Sequence, residues 1–195
     1  MFRDPVQEVV TCVRRQRPAR RGQRGTSMVE VLVTLVIIAF GLLGMAGLQM
    51  RLQVSEIEAY QRSQALLLLN DMASRIAANR NAAASYVTAA TGSGADCSTI
   101  GTGTTAGRDK KEWCEALQGA AETKSGANVG AMIGGRGCVE LVDGDYMVTV
   151  AWQGMTPISA PPASVTCGAA EYNGGSCVND LCRRVVTTLV RIAVL

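Results

Sequence analysis

One carboxylate lies at the start of the longest apolar run in the sequence. Glu30 follows Gly25 by five residues and precedes an apolar run from Val31 to Leu48 that carries no charge. A carboxylate deep in a membrane costs about 2.5–3.5 kcal/mol, and less near the interface. A carboxylate at this position needs an explanation, because a buried charge needs a partner. One explanation is a Glu30 side chain that reaches the lipid headgroups.

The cysteines are the second set of residues that could do chemistry. The chain has seven cysteines and no histidine, which removes the usual general base and the usual catalytic triads. Six distal cysteines fit three disulfides, with 15 possible pairings, and an oxidising compartment. A zinc site is disfavoured because there is no CxxC pair and no histidine, so we predict no metal and no cofactor. The six are Cys97, Cys114, Cys138, Cys167, Cys177 and Cys182.

The positive charge is concentrated at the N-terminus. The first 25 residues hold seven of the 19 basic and two of the 16 acidic residues, a net charge of +5 that leaves the remainder at −2. This distribution disfavours nucleic-acid binding by the distal part, where the pair Arg183-Arg184 is interpreted as an ordinary strand edge.

The apolar run is long enough to cross a membrane. Eighteen helical residues span about 27 Å, close to a hydrocarbon core of about 30 Å. Arginines flank only the N-terminal side, which predicts a cytoplasmic N-terminus and an exported cysteine-rich part. A cleaved secretory signal is the alternative, but its apolar region would be shorter and followed by a small-residue cleavage site.

The segment from Gly25 to Val33, with the sequence GTSMVEVLV, resembles the class III signal of type IV prepilins and type II secretion pseudopilins. The resemblance implies that prepilin peptidase cleaves between Gly25 and Thr26 and that Thr26 becomes an N-methylated terminus, where the family usually has Phe. Glu30 would then be the fifth mature residue. The new amine of Thr26 in a neighbouring subunit would neutralise Glu30 and set the register of the helices.

A long helix is predicted from about Met28 to about Asn79. Its outer half has the favourable charge pairs Glu58–Arg62 and Asp71–Arg75 at a spacing of four. One apolar face is formed by Ala65, Leu69, Met72 and Ile76. Gly41, Gly44 and Gly47 recur at a spacing of three, which fits either close helix packing in lipid or a segment that unwinds on assembly.

The exported part is predicted to be a small antiparallel sheet with disulfide-linked loops. Strands ending at Val142 and starting at Tyr146 form a hairpin around the turn Asp143-Gly144-Asp145, and a closing strand is expected over Arg183–Leu195. Asp109-Lys110-Lys111-Glu112 is interpreted as a capping box that starts a short helix ending near Gly119, in which Trp113 packs in the core.

Together these patterns predict an α+β, pilin-like fold in which the outer half of the long helix covers the sheet. The predicted organisation is a leader at 1–25, a membrane-spanning and polymerisation half of the helix at 26–48, an amphipathic half at 49–80, and a globular domain at 81–195.

The predicted function is that of a minor pilin which helps to initiate type IV pilus assembly and is not an enzyme. The cysteine pattern, Gly41-Leu42-Leu43-Gly44 and Cys182-Arg183-Arg184 resemble the minor-pilin family called type IV pilus modification protein PilV. The resemblance implies an inner-membrane location before assembly and a surface pilus afterwards. Implied partners are other minor pilins, the major pilin, prepilin peptidase and the inner-membrane assembly platform. The alternatives are a type II secretion pseudopilin and a tip subunit that binds surfaces or DNA.

Overall fold

The computed structural model describes Gly25 and residues 27–120, 123–130 and 132–192, which belong to two compact units, 1–46 and 47–195. The leader other than Gly25, together with Thr26, lies outside the described residues. The helices are α1 (Met28–Ala78) and α2 (Thr105–Leu117), with short 3-10 helices at Arg80–Tyr86 and Cys97–Thr99. The strands are β1 (Thr88–Gly92), β2 (Thr123–Lys124), β3 (Ala127–Asn128), β4 (Arg136–Val142), β5 (Asp145–Gln153) and β6 (Arg183–Val190).

The long helix is confirmed, and it ends one residue before the predicted Asn79. Its predicted apolar face is also confirmed, because Ala65, Leu69, Met72 and Ile76 are all buried. In the part of the chain that the structure describes, α1 is the one helix long and apolar enough to cross a membrane.

The main sheet has the order β1-β4-β5-β6 and is antiparallel throughout. The predicted hairpin is confirmed as β4 and β5, with Val142 opposite Asp145 across a turn in which Asp143 and Gly144 both have positive φ. The closing strand is confirmed as β6, but it ends at Val190, and residues 193–195 lie outside the described part. Strand β1 was not predicted from the sequence.

The core lies between α1, α2 and one face of this sheet. Val139, Val148 and Val150 of the sheet are fully buried in one cluster with the apolar face of α1. Trp113 of α2 joins the cluster as predicted, and its indole N–H donates a hydrogen bond to the Leu68 carbonyl of α1 at 2.9 Å. Burial of these side chains provides the cohesion that a small sheet lacks by itself.

The predicted capping box at Asp109 is wrong. Helix α2 begins at Thr105, and its N-cap is Thr104, five residues before the predicted one. The Thr104 side chain accepts a hydrogen bond from the Gly107 amide at 3.0 Å. Threonine is among the residues preferred at the N-cap, because its hydroxyl can accept a hydrogen bond from a helix amide. Asp109 therefore lies inside the helix, and its carboxylate is available for tertiary contacts.

The described part of the chain has three disulfides, as the cysteine count predicted. They join Cys97 to Cys114, Cys138 to Cys167, and Cys177 to Cys182. The second links β4 to the long loop between β5 and β6. That loop covers the far face of the sheet, where Cys138, Ala151, Cys167 and Tyr172 form a second buried cluster. The disulfides thus fix the loops that the small sheet could not order by packing alone.

Candidate assembly surface

Glu30 lies in the first turn of α1 and is exposed to solvent. The turn is closed by the Glu30 amide, which donates to the Ser27 carbonyl at 3.0 Å, and the Ser27 hydroxyl accepts from the Val29 amide at 3.4 Å. A carboxylate in the first turn is favoured by the helix dipole, and it remains able to accept hydrogen bonds from an amine. Gly25 is exposed two residues before Ser27.

The side chains that follow Glu30 form an apolar surface with nothing of their own unit to cover it. Exposed fractions run from 45 % at Val31 to 71 % at Phe40. An apolar surface of this extent on a helix requires lipid or other helices around it. The geometry of 28–46 therefore suits first a membrane and then a packed bundle of such helices.

The three glycines lie within α1, which is helical at all three positions. A Cβ atom built on Gly41, Gly44 or Gly47 would meet no atom within 4 Å. Contacts within the chain therefore give no reason for glycine at these positions. Both interpretations from the sequence, close packing by another helix and unwinding during assembly, remain predictions.

A charged cluster joins the outer half of α1 to α2. The Arg75 guanidinium contacts Asp71 at 2.9 Å, Asp109 at 2.9 Å and Glu112 at 2.7 Å. The contact with Asp71 confirms the pair predicted at a spacing of four. Burial opposes the charged form of Arg75, but the three carboxylates prevail and raise the pKa of its guanidinium.

Tyr86 extends the cluster into the core. Its side chain is fully buried, its hydroxyl donates to the Asp109 carboxylate, and it accepts a hydrogen bond from the Asn79 amide at 3.2 Å. Burial, and then the hydrogen bond to Asp109, raise the pKa of the Tyr86 hydroxyl. This cluster fixes the C-terminal end of α1 to the globular unit. Apart from the Asp71–Arg75 pair, no pattern in the sequence predicted it.

A second set of contacts joins α1 to the loops near Gly154. The predicted pair Glu58–Arg62 is wrong: the Glu58 carboxylate instead accepts from the Met155 amide at 2.9 Å and lies 3.8 Å from Arg184. The Gln61 side chain accepts from the Ile133 amide at 2.9 Å. A hydrogen bond to a loop amide stabilises the fold by about 0.5–1.5 kcal/mol, whereas an exposed ion pair along a helix contributes about 0.3–0.5 kcal/mol. The loop contacts are therefore favoured.

The basic pair Arg183-Arg184 lies on an edge strand, as predicted, but its charges face inward. Arg183 is 3 % exposed, forms an ion pair with Asp180 at 3.1 Å, and donates to the Val165 carbonyl at 2.7 Å. Arg184 donates to the Thr156 carbonyl at 2.6 Å. Their positive charges therefore stabilise loops and do not form a surface for nucleic acid.

Two family matches agree with this geometry. The family described as Type IV pilin Tt1218 matches residues 47–122, and the prokaryotic N-terminal methylation motif matches residues 20–46. Searches of curated proteins and of solved structures give no match. The matches adjoin at Gly47 and cover the leader end, α1 and α2.

These matches support a type IV pilin. Pilins are structural subunits and are generally not enzymes, and similarity to them supports processing by prepilin peptidase and assembly with other pilins. The prepilin motif and the apolar helix fit anchoring in the inner membrane, followed by a pilus on the cell surface. The expected layout of a pilin, with one long helix on a small disulfide-linked sheet, is the fold of this chain.

Proposed function

We propose that this pilin is a minor subunit that takes part in initiating type IV pilus assembly. The observation that carries the proposal is an exposed carboxylate, Glu30, in the first turn of an exposed apolar helix. A subunit with this surface is incomplete alone, since both the apolar side chains and the charge require neighbours once lipid is left behind.

The proposed sequence of events begins with removal of the leader, residues 1–25, on the cytoplasmic side. Thr26 becomes the methylated terminus, and its amine in a neighbouring subunit approaches Glu30 as the helices pack. Any other register leaves a buried carboxylate without its partner, which costs several kcal/mol. Residues 26–48 thus act as the polymerisation segment, 49–80 connect it to the sheet, and 81–195 present the surface that selects partners.

A minor role is supported by the resemblance to type IV pilus modification protein PilV. The features that carry it are the six distal cysteines, Gly41-Leu42-Leu43-Gly44 and Cys182-Arg183-Arg184. In this chain the six cysteines form three disulfides, and Arg183 and Arg184 hold the long loop between β5 and β6. The resemblance therefore involves the residues that fix the loops proposed to contact partners. The partners proposed on this ground are other minor pilins, the major pilin and the assembly platform.

The test is a chromosomal Glu30→Ala or Glu30→Lys substitution, with Glu56→Ala as control because Glu56 is an exposed acid on the same helix. We expect each Glu30 variant to lose its leader normally, seen by intact mass, but to reduce surface pili and twitching. The control should assemble like the unaltered protein. Normal piliation by both Glu30 variants would contradict the proposal.

Intact mass of the membrane-extracted protein tests the processing step separately. Loss of residues 1–25 with the gain of one methyl group is expected. A deletion strain then distinguishes the alternative of a type II secretion pseudopilin, because that alternative predicts loss of protein secretion with pili retained.

A further inference from the structure

A pocket lies between the outer half of α1 and the end of β5 that leads into the long loop. Trp152 and Val186 of the sheet and Ile158 of the loop give it apolar walls, and its volume is about 280 Å³. Pockets for small-molecule ligands measure about 300–1,000 Å³. This pocket is at the small end of that range, so it suits side chains of a partner protein better than a cofactor.

The pocket also carries positive charge, and it is called the arginine pocket below. Arg62 and Arg184 line it together with one acid, Glu58, which gives a net charge of +1. Arg184 is held by the Thr156 carbonyl, and the Glu58 carboxylate accepts from the Met155 amide. Arg62 is exposed and has no acidic partner among the described residues, since Glu58 is used elsewhere. The Arg62 guanidinium can therefore bind a carboxylate that another molecule brings.

The opposite end of β5 has the complementary character. The tight turn between β4 and β5 has Asp143 exposed at its tip. Leu141 and Val142, just before the turn, are 60 % and 38 % exposed. Asp145 is already paired with Arg191 at 2.9 Å, so Asp143 gives this end a net charge of −1. Residues 141–145, called the acidic turn, thus present one unpaired acid among exposed apolar side chains.

A molecule cannot place the acidic turn in its own arginine pocket. The nine residues of β5 span about 27 Å, with the pocket at one end of the strand and the turn at the other. A contact between them must join two molecules head to tail. It leaves one molecule with an open pocket and the other with an open turn, so the contact can repeat along a filament.

We propose that a second copy of this pilin docks here, with the acidic turn of one subunit in the arginine pocket of its neighbour. Asp143 then pairs with Arg62. Leu141 and Val142 cover the exposed Ile158. Charge complementarity selects this occupant, because the turn supplies both the acid and the apolar side chains that the pocket accommodates. The inference rests on assembly of this pilin and not on a role in initiating pili.

The experiment cross-links two differently tagged copies of the full chain in membranes of a host that makes prepilin peptidase and no other pilin. One copy carries Ile158→Cys in the pocket, and the other carries Leu141→Cys beside the turn. A short bismaleimide joins the two new thiols where these surfaces meet, while the six distal native cysteines are held in disulfides. We expect a covalent pair that contains both tags. The matched control has Ile158→Cys on both copies and reports a symmetric pairing.

The charges of the contact are tested on the same pair. Arg62→Glu on the pocket copy should reduce the cross-link by about tenfold, because two acids then face each other. Asp143→Lys on the turn copy should restore most of the cross-link to the Arg62→Glu partner. Asp143→Asn, which tolerates the positive φ of this position, should weaken the cross-link to the unaltered pocket. Glu56→Lys, an exposed charge on α1 that does not line the pocket, should change nothing.

An equally strong cross-link in the symmetric control would overturn the inference. So would the absence of a cross-link between folded copies, or a failure of the charge swap to restore it. Near-ultraviolet circular dichroism of each purified variant separates loss of contact from loss of fold. Glu30 is unchanged in every copy, so a failure here is distinct from a failure of the role proposed for Glu30.

Discussion

The Arg75 cluster allows a direct test of how the long helix is fixed to the globular unit. Asp109 and Glu112 both contact the same guanidinium nitrogen, at 2.9 and 2.7 Å, but their side chains are 16 % and 60 % exposed. Asp109 also accepts the hydrogen bond of the buried Tyr86 hydroxyl. Replacing each acid with alanine therefore compares a partly buried partner with an exposed one around one arginine.

The expected magnitudes differ clearly. Asp109→Ala removes an acceptor from a charged group and leaves the Tyr86 hydroxyl without one, and each of these losses costs about 1–3 kcal/mol. Because Arg75 keeps Asp71 and Glu112, we expect the free energy of unfolding to fall by about 2–3 kcal/mol in total. Glu112→Ala removes an exposed ion pair and should cost about 0–1 kcal/mol.

The assay is urea unfolding of the detergent-solubilised full chain, followed by the fluorescence of the two core tryptophans, Trp152 and Trp113, of which Trp113 hydrogen-bonds to α1. A double-mutant cycle of Asp109→Ala with Tyr86→Phe should show a coupling energy above about 0.5 kcal/mol. Equal destabilisation by Asp109→Ala and Glu112→Ala, or additive effects in the cycle, would refute the assignment of Asp109 as the more strongly coupled partner.

Two further predictions concern the sheet and its covering loop. Gly137→Ala should destabilise the fold by about 1–3 kcal/mol, because the new methyl group would clash with the buried Trp113 ring. The control Gly174→Ala meets nothing within 4 Å and should be nearly neutral in the same urea assay. Burial raises the pKa of the Tyr172 hydroxyl, which donates to the Gly134 carbonyl. Because the folded state keeps this proton when the unfolded chain has lost it, the free energy of unfolding should fall as pH rises above about 10. Tyr172→Phe should reduce that fall when unfolding is measured across this pH range.

Elements with a strong internal period could be predicted from the sequence. The outer half of α1 repeats apolar residues every three or four positions, and β5 alternates them up to Trp152, so both were placed correctly. Strand β1 has the sequence Thr-Ala-Ala-Thr-Gly, whose alanines give no alternation. It forms because β4 offers a partner, with an irregularity in the register between Thr88 and Thr91. Such pairing depends on residues far along the chain.

Contacts between distant segments explain the other differences. The acidic residues near the start of α2 resemble a capping box locally, yet Asp109 bonds to Arg75, 34 residues before it. Glu58 similarly bonds to Met155, 97 residues after it. Local sequence preferences differ between alternatives by about 1 kcal/mol or less. A tertiary hydrogen bond contributes a similar free energy and can therefore override them. The disulfide pairing was open for the same reason, since spacing alone does not determine which loops meet.

The three disulfides have a mechanical consequence. Each joins positions beyond residue 96, so within the described residues none fastens α1 sideways to the sheet. When a filament is pulled, tension would pass along its helices, while the disulfide-linked loops resist stretching through covalent bonds. The noncovalent packing of α1 on the sheet is then the contact that would separate first. It could form again afterwards, because no covalent bond would have been broken.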